Sequence, residues 1–267
     1  MTTRIISGVV MIALTIAAVW YAPAWLFLLI ALLLVALSCH EYGALVRASA
    51  LPYPGALAAA AAALTCASFA RESLAGVGRV PLDLVLMTAF VAMGAVSLAT
   101  WRSGTSALAS ASAALLPCLY FGLPLGALLA VREGWGPRAL FLLMLTVIVS
   151  DSAQYFTGRA FGKRKLAETI SPKKTVEGAY GGFLFGTLLF VVLGGYWLPT
   201  MPLWLRVVLG VTLVALGIAG DLFESMLKRS AGVKDSSSLI PGHGGVLDRI
   251  DALLFAAPIY YIVLTHV

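Results

Sequence analysis

Asp221, Ser225 and Lys228 are spaced i, i+4 and i+7, so on a helix they share one face. Asp248 and Asp251 stand three apart and would share a face at the start of another helix. Between them run Lys228, Arg229, Lys234, Asp235 and Arg249, with the turn "PGHGG" at 241–245. Clustered carboxylates suit a hard divalent cation, and Mg²⁺ is usually held by one or two carboxylates plus substrate phosphates. Lysines and arginines at the rim suit a polyphosphate. Gly244 and Gly245 would let backbone N–H groups approach phosphate oxygens with no Cβ in the way. This mix predicts phosphoryl or nucleotidyl transfer at a membrane surface, without naming the substrate.

The elements that must position these groups are membrane helices. The 267 residues are 61% hydrophobic and only 11% charged, which no ordinary soluble domain of this size matches. Nine apolar runs read as spans: 5–22, 24–46, 54–71, 81–100, 106–131, 139–158, 178–198, 203–227 and 247–266. None alternates as a crossing strand would, so each must satisfy its backbone internally as a helix. The predicted fold is therefore an all-α, polytopic membrane protein of about nine transmembrane helices. Arg4 and the run after it read as a retained anchor, although 22–24 faintly resembles a cleavage site. The alanine run 58–63 suits close helix contact.

Counting Lys and Arg by the side on which each link falls gives thirteen on the N-terminal side and five on the other. The N-terminus is thus expected in the cytoplasm, together with the charged links 159–177 and 228–249. Of twelve acidic residues, eight lie between 151 and 251. Asp221 follows "VTLVALGIAG" and lies roughly 12 Å below the cytoplasmic exit of its span; Asp151 lies roughly 10 Å below the exit of its own. An acid at mid-membrane costs about 2.5–3.5 kcal/mol and usually faces a bundle interior or a wet cavity. Gly217 and Gly220 would let another backbone come close to the Asp221 face. Plainer readings exist for single residues: an Asp221–Lys228 structural pair, Asp248 and Asp251 as helix-dipole acids, His243 as a loop residue, and "GKRK" (162–165) as a positive-inside anchor. Cys39, Cys66 and Cys118 read as small buried residues.

The stretch "SMLKRSAGVKDSSSLIPGHGGVLDRID" (225–251) resembles the signature of phosphatidate cytidylyltransferases, the CDP-diacylglycerol synthases. Ser225, Lys228-Arg229, Lys234-Asp235, Pro241, His243-Gly244-Gly245, Asp248-Arg249 and Asp251 match it without departure. A second stretch, "DSAQYFTGRAFGKRKLAETISPKKTVEG" (151–178), is similar to another polar segment of that family, with Gln154 where a small residue is expected. The likeness covers about 145–267. It implies a homodimeric membrane enzyme of the bacterial cytoplasmic membrane. The implied reaction is CTP with phosphatidate, giving CDP-diacylglycerol and pyrophosphate, with Mg²⁺ and room for a second cation. No nucleic-acid partner is expected. Residues 1–135 would supply scaffold, dimer contacts and lipid access; residues 136–267 would be catalytic.

On this reading Asp221 and Asp248 hold the metal, with Asp151 and Asp251 as further ligands or orienting groups. Lys228, Arg229, Lys234 and Arg249 bind the triphosphate and the departing pyrophosphate. Lys234 and His243 are counted with Asp221 and Asp248 in the catalytic set, and Ser225 with the substrate-binding set. His243, Gly244 and Gly245 shape the loop at the reacting phosphorus. Ser171, Lys173, Lys174 and Thr175 grip phosphate near a helix start, with Pro172 as the first helical residue. Two rivals remain: a CTP-dependent lipid kinase of the dolichol type, which would transfer the γ-phosphate, and an ion-coupled transporter using its intramembrane acids.

Overall fold

A computed structural model describes residues 2–71, 80–101, 106–237, 239, 240 and 244–267, with side chains from Ile6 onward. The chain forms two compact units: Met1–Glu133 with Leu227–Arg249, and Gly134–Met226 with Ile250–Val267. Among the described residues, five helical runs are long and apolar enough to cross a membrane: Ala24–Ala48, Leu82–Thr100, Ala107–Phe161, Val176–Trp197 and Leu203–Ser230. Ile6–Tyr21 and Gly55–Ala67 are shorter apolar helices. The protein is thus a mainly α-helical membrane protein.

The first unit begins with α1 (Thr2–Tyr21), α2 (Ala24–Ala48), α3 (Gly55–Ala67), α4 (Leu82–Thr100) and α5 (Ala107–Pro117). Pro23 separates α1 from α2, and the carbonyls of Val19 and Ala22 at this break accept hydrogen bonds from the Arg132 guanidinium at 2.6 and 3.2 Å. Ala58 and Ala61, from the alanine run, pack against Ala89 and Met93 of α4 and Ala114 of α5. Their small side chains let these helices approach closely. Pro117 cannot donate a backbone hydrogen bond, and the chain absorbs this in a π-turn, Cys118–Gly122, before α6 (Leu123–Phe161). The three cysteines are buried and free.

Helix α6 is broken at Gly136, where φ is 80° and ψ −178°. Pro137 disfavours helical geometry in the residue before it, and glycine takes positive φ without penalty. This break falls between the fifth and sixth apolar runs, 106–131 and 139–158.

In the second unit the chain leaves α6 into a two-stranded antiparallel hairpin, β1 (Lys165–Ala167) and β2 (Ser171–Thr175), paired Lys165 to Thr175 and Ala167 to Ser171. The purely α-helical expectation omits this hairpin. Pro172 lies in β2 and is not the first residue of a helix. Helix α7 (Val176–Trp197) starts instead at Thr175, whose Oγ1 accepts from the Gly178 amide at 3.1 Å. A threonine cap satisfies one of the amides that a helix start leaves open, whereas proline's fixed φ fits extended chain equally well.

Helices α8 (Leu203–Ser230) and α9 (Leu247–Leu264) complete the fold. Ala179, Val214 and Ile218 form a buried cluster in the second unit, with Leu166, Phe183 and Leu222 against it. Gly220 does what its position predicts: a Cβ there would stand 2.5 Å from the Asp251 carbonyl oxygen and 3.2 Å from the Ala252 Cα. Both neighbours are backbone, which cannot swing aside. Gly220→Ala gains about 1 kcal/mol of helix propensity but faces overpacking worth about 1–3 kcal/mol. We expect a lower midpoint of thermal unfolding in detergent; an unchanged or higher midpoint means that this helix contact is loose.

Candidate functional site

Each unit carries one polar cluster built from predicted residues. In the second unit, Asp221 of α8 forms an ion pair with Lys174 of β2, Nζ to Oδ2 at 2.6 Å. The two side chains are 18% (Lys174) and 30% (Asp221) exposed, so the pair is half-buried, with Asp221 the more exposed member. Ser225, one turn along α8, donates to the other Asp221 oxygen at 3.3 Å. Asp151 of α6 accepts from Gln154 Nε2 at 3.0 Å, and the same amide lies 3.3 Å from Ser150 Oγ. The polar residue at 154 therefore orients an aspartate, which a small residue could not do. Asp251 of α9 accepts from the Ala252 amide at 2.8 Å. Asp151, Asp221 and Asp251 lie close enough to repel one another, and Lys174 attracts both Asp151 and Asp251. Of these three aspartates, it is Asp221 that the hairpin's ammonium contacts.

In the first unit the cluster forms around Asp248. Helix α8 ends in a Schellman motif: Gly232, at φ 71°, donates to Arg229, and Val233 donates to Lys228, both at 3.0 Å. The chain then folds back, with Ile240 bridging to Gly244, itself at φ 81°. Asp248 Oδ1 accepts from Lys228 Nζ at 2.5 Å. Its Oδ2 accepts from the Ser236 amide at 3.2 Å, the Ser236 hydroxyl at 2.9 Å and the Gly245 amide at 2.7 Å. These side chains are 11% (Lys228) and 6% (Asp248) exposed, so this pair is far drier than Lys174–Asp221. Lys228 therefore pairs with Asp248, and not with Asp221 on its own helix, two turns and about 10 Å away along the axis.

Other predicted residues lie outside these networks. Lys173 and Arg249 are exposed, as is Lys234; Ser171 is half-buried in β2. Arg229 donates to the Val233 carbonyl at 3.2 Å. In the "GKRK" stretch, Glu177 of α7 accepts from the Lys163 and Arg164 amides at 2.9 and 3.1 Å and pairs with the Arg164 guanidinium at 3.1 Å. The basic stretch is thus anchored by an acid in the first turn of α7. His243, like Pro241, lies outside the described residues.

Sequence spacing misses one acid. Glu41, in the second apolar run, is only 2% exposed and accepts hydrogen bonds from four groups of the 236–247 stretch. The signal was its charge within an apolar run; six positions from Arg47, it passes for an interfacial residue.

Among the described residues, no group of three or more His, Cys, Asp or Glu side chains closes on one metal-sized point. Mg²⁺ does not require one, since it keeps waters and takes phosphate oxygens beside one or two carboxylates. Asp221 offers hard oxygen donors at a point where a cation, the Lys174 ammonium, already sits. That carboxylate fits the ion.

A phosphatidate cytidylyltransferase of Haemophilus influenzae is 48% identical over 130 residues, 46% of this chain and 45% of that protein. One from Thermotoga maritima is 36% identical over 188 residues, 68% of each chain. One from Pseudomonas aeruginosa is 46% identical over 122 residues, 45% of each. The chain spans about half the length of the first and third of these relatives. The model of the Cytidylyltransferase family matches residues 2–267. A match of that extent takes in both polar clusters and every helix described above, and on it the chain belongs to the cytidylyltransferase family.

Proposed function

We propose that this protein transfers a cytidylyl group from CTP to phosphatidate, giving CDP-diacylglycerol and pyrophosphate. The observation that carries the reading is the half-buried Lys174–Asp221 pair, with Ser225 on the same carboxylate, in a chain whose relatives bear the name phosphatidate cytidylyltransferase. A phosphate oxygen of phosphatidate attacks the α-phosphorus of CTP. One P–O bond forms, the bond to the β-phosphate bridging oxygen breaks, and that electron pair leaves with pyrophosphate. The nucleophile is already an anion, so no serine, cysteine or general base is needed. The obstacle is repulsion between two phosphate anions, and positioning with charge neutralisation is the catalysis required.

Asp221, with Asp151 and Asp251 beside it, would hold Mg²⁺, which when bound screens nucleotide phosphate charge. A second cation is compatible with the carboxylates that remain. Lys174, already at the cluster, would meet phosphate oxygens, with Ser171, Lys173 and Thr175 on the same strand. Lys228, Arg229, Lys234 and Arg249 would meet the triphosphate, with Gly244 and Gly245 shaping the turn. Asp248, paired with Lys228, would act in the reaction, with His243 at the turn. The nine-span topology, with N-terminus and site facing the cytoplasm, is supported by the thirteen-to-five charge count and by the Gly136 break, which divides the longest helical run. The bacterial inner membrane is supported by the bacterial source of the relatives. The homodimer, and the assignment of residues 1–135 to scaffold and 136–267 to catalysis, come from the family resemblance.

The test is incubation of detergent-purified protein with phosphatidate, Mg²⁺ and CTP labelled at the α- or γ-phosphorus. Label from the α-position in the lipid, with pyrophosphate released, supports the proposal. Label from the γ-position with CDP released assigns a lipid kinase instead. Lys174→Ala should raise the KM for at least one substrate by about 10–100-fold, the worth of a hydrogen bond to a charged group. Unchanged KM for both CTP and phosphatidate would remove Lys174 from the phosphate-binding set.

A further inference from the structure

We propose that Glu41, on α2, is a positioning residue for the cytidylyl transfer proposed above: by fixing Ser236, Ser237, Val246 and Leu247 it holds Asp248 in its pairing with Lys228. The inference rests on that reading of the reaction. An ionised carboxylate has about four acceptor positions, and Glu41 uses four. Oε1 accepts from the Ser237 hydroxyl at 2.7 Å and the Val246 amide at 2.9 Å. Oε2 accepts from the Leu247 amide at 2.8 Å and lies 3.0 Å from the Ser236 hydroxyl. Val246 immediately precedes α9 and Leu247 is its first residue, so Glu41 takes two amides at the helix start, where the helix dipole also favours an anion. That explains how a carboxylate at 2% exposure is tolerated.

The link to Asp248 is direct. The Ser236 hydroxyl lies 3.0 Å from Glu41 Oε2 and 2.9 Å from Asp248 Oδ2. It carries one proton and therefore ties two carboxylates together, serving them in turn. Gly245 sits in the same crevice, where an added Cβ would stand within 2.6 Å of both Glu41 oxygens. Its amide donates to Asp248. Glu41, Ser236, Asp248 and Lys228 thus form one continuous series of hydrogen bonds, and its far end is a residue pair assigned above to the reaction. A displacement of about 1 Å at such a pair can cost about 100-fold in rate.

Glu41→Gln keeps the shape but turns an NH₂ toward groups that are themselves donors. We expect kcat to fall by about 10–100-fold, with the KM for CTP within about threefold of the parent. Ser236→Ala should do the same, and the double variant should be no slower than the slower single one, as for residues acting in one series. Multiplying effects, or a Glu41→Gln protein that loses thermal stability but keeps its kcat, overturns the inference. Should Glu41→Gln not accumulate, Ser237→Ala decides: its hydroxyl meets Glu41, so kcat must fall by about threefold or more, and an unchanged kcat overturns the proposal. A parent protein that makes no CDP-diacylglycerol removes the reaction and this inference with it. An active parent whose variants match it removes the inference alone.

Discussion

Asp221→Asn should lower CTP-dependent turnover by about 10³-fold, the scale on which one charge-stabilising group acts in a preorganised site, while the protein still inserts and remains folded. Asparagine keeps the shape and can still accept from Ser225, which lies 3.3 Å from the native carboxylate. What disappears is the charge that draws Lys174 to 2.6 Å and that would draw Mg²⁺. Folding should hardly notice. An acid at mid-membrane opposes insertion by about 2.5–3.5 kcal/mol, so neutralising it does not hinder insertion. The pair is also partly exposed, which limits what its loss removes. The measurement is the initial rate of lipid product in detergent, beside the thermal midpoint. Turnover within tenfold of the parent would end the role of Asp221 as a metal ligand.

Asp248→Asn should be equally inactive but, unlike Asp221→Asn, unstable. Asp248 is 6% exposed and its two oxygens serve Lys228 on one side and Ser236 and Gly245 on the other. An amide can offer an oxygen to only one side. Turned one way, its NH₂ confronts the Lys228 ammonium; turned the other way, it confronts three donors. Removing one partner of a buried ion pair costs about 3–5 kcal/mol, so the thermal midpoint should fall clearly. Lys228→Met in the same protein removes the ammonium and should restore much of the stability. It should not restore turnover. If the single variant is as stable as the parent, the Lys228–Asp248 pair does not clamp the turn; if the double variant regains activity, the pair has no part in the reaction.

Much of this was legible in the sequence, but unevenly. The signature at 225–251 and the Gly220 contact follow from residue type and spacing, because a helix repeats regularly and a missing Cβ has one effect. The break at Gly136 is equally local, a glycine before a proline. The partners of the charges were not legible. Asp221 pairs with Lys174, 47 positions back, and Lys228 pairs with Asp248 across a turn, while the i, i+7 pattern linked Asp221 to Lys228. Glu41 lies 205 positions before Val246, and no periodicity reports such a meeting. The hairpin was missed because its strands are three and five residues long, too short for alternation to stand out among the charges of a solvated link.

That hairpin makes a choice between neighbours. Lys173 and Lys174 are chemically identical, yet consecutive residues of a strand point to opposite sides, and here one faces water while the other reaches Asp221. The pairing is irregular at this point, with the five residues Ser171–Thr175 set against the three of Lys165–Ala167, and such a bulge re-aims the side chains of the longer strand. Straightening it would change which lysine reaches Asp221 without altering one charged residue of the protein.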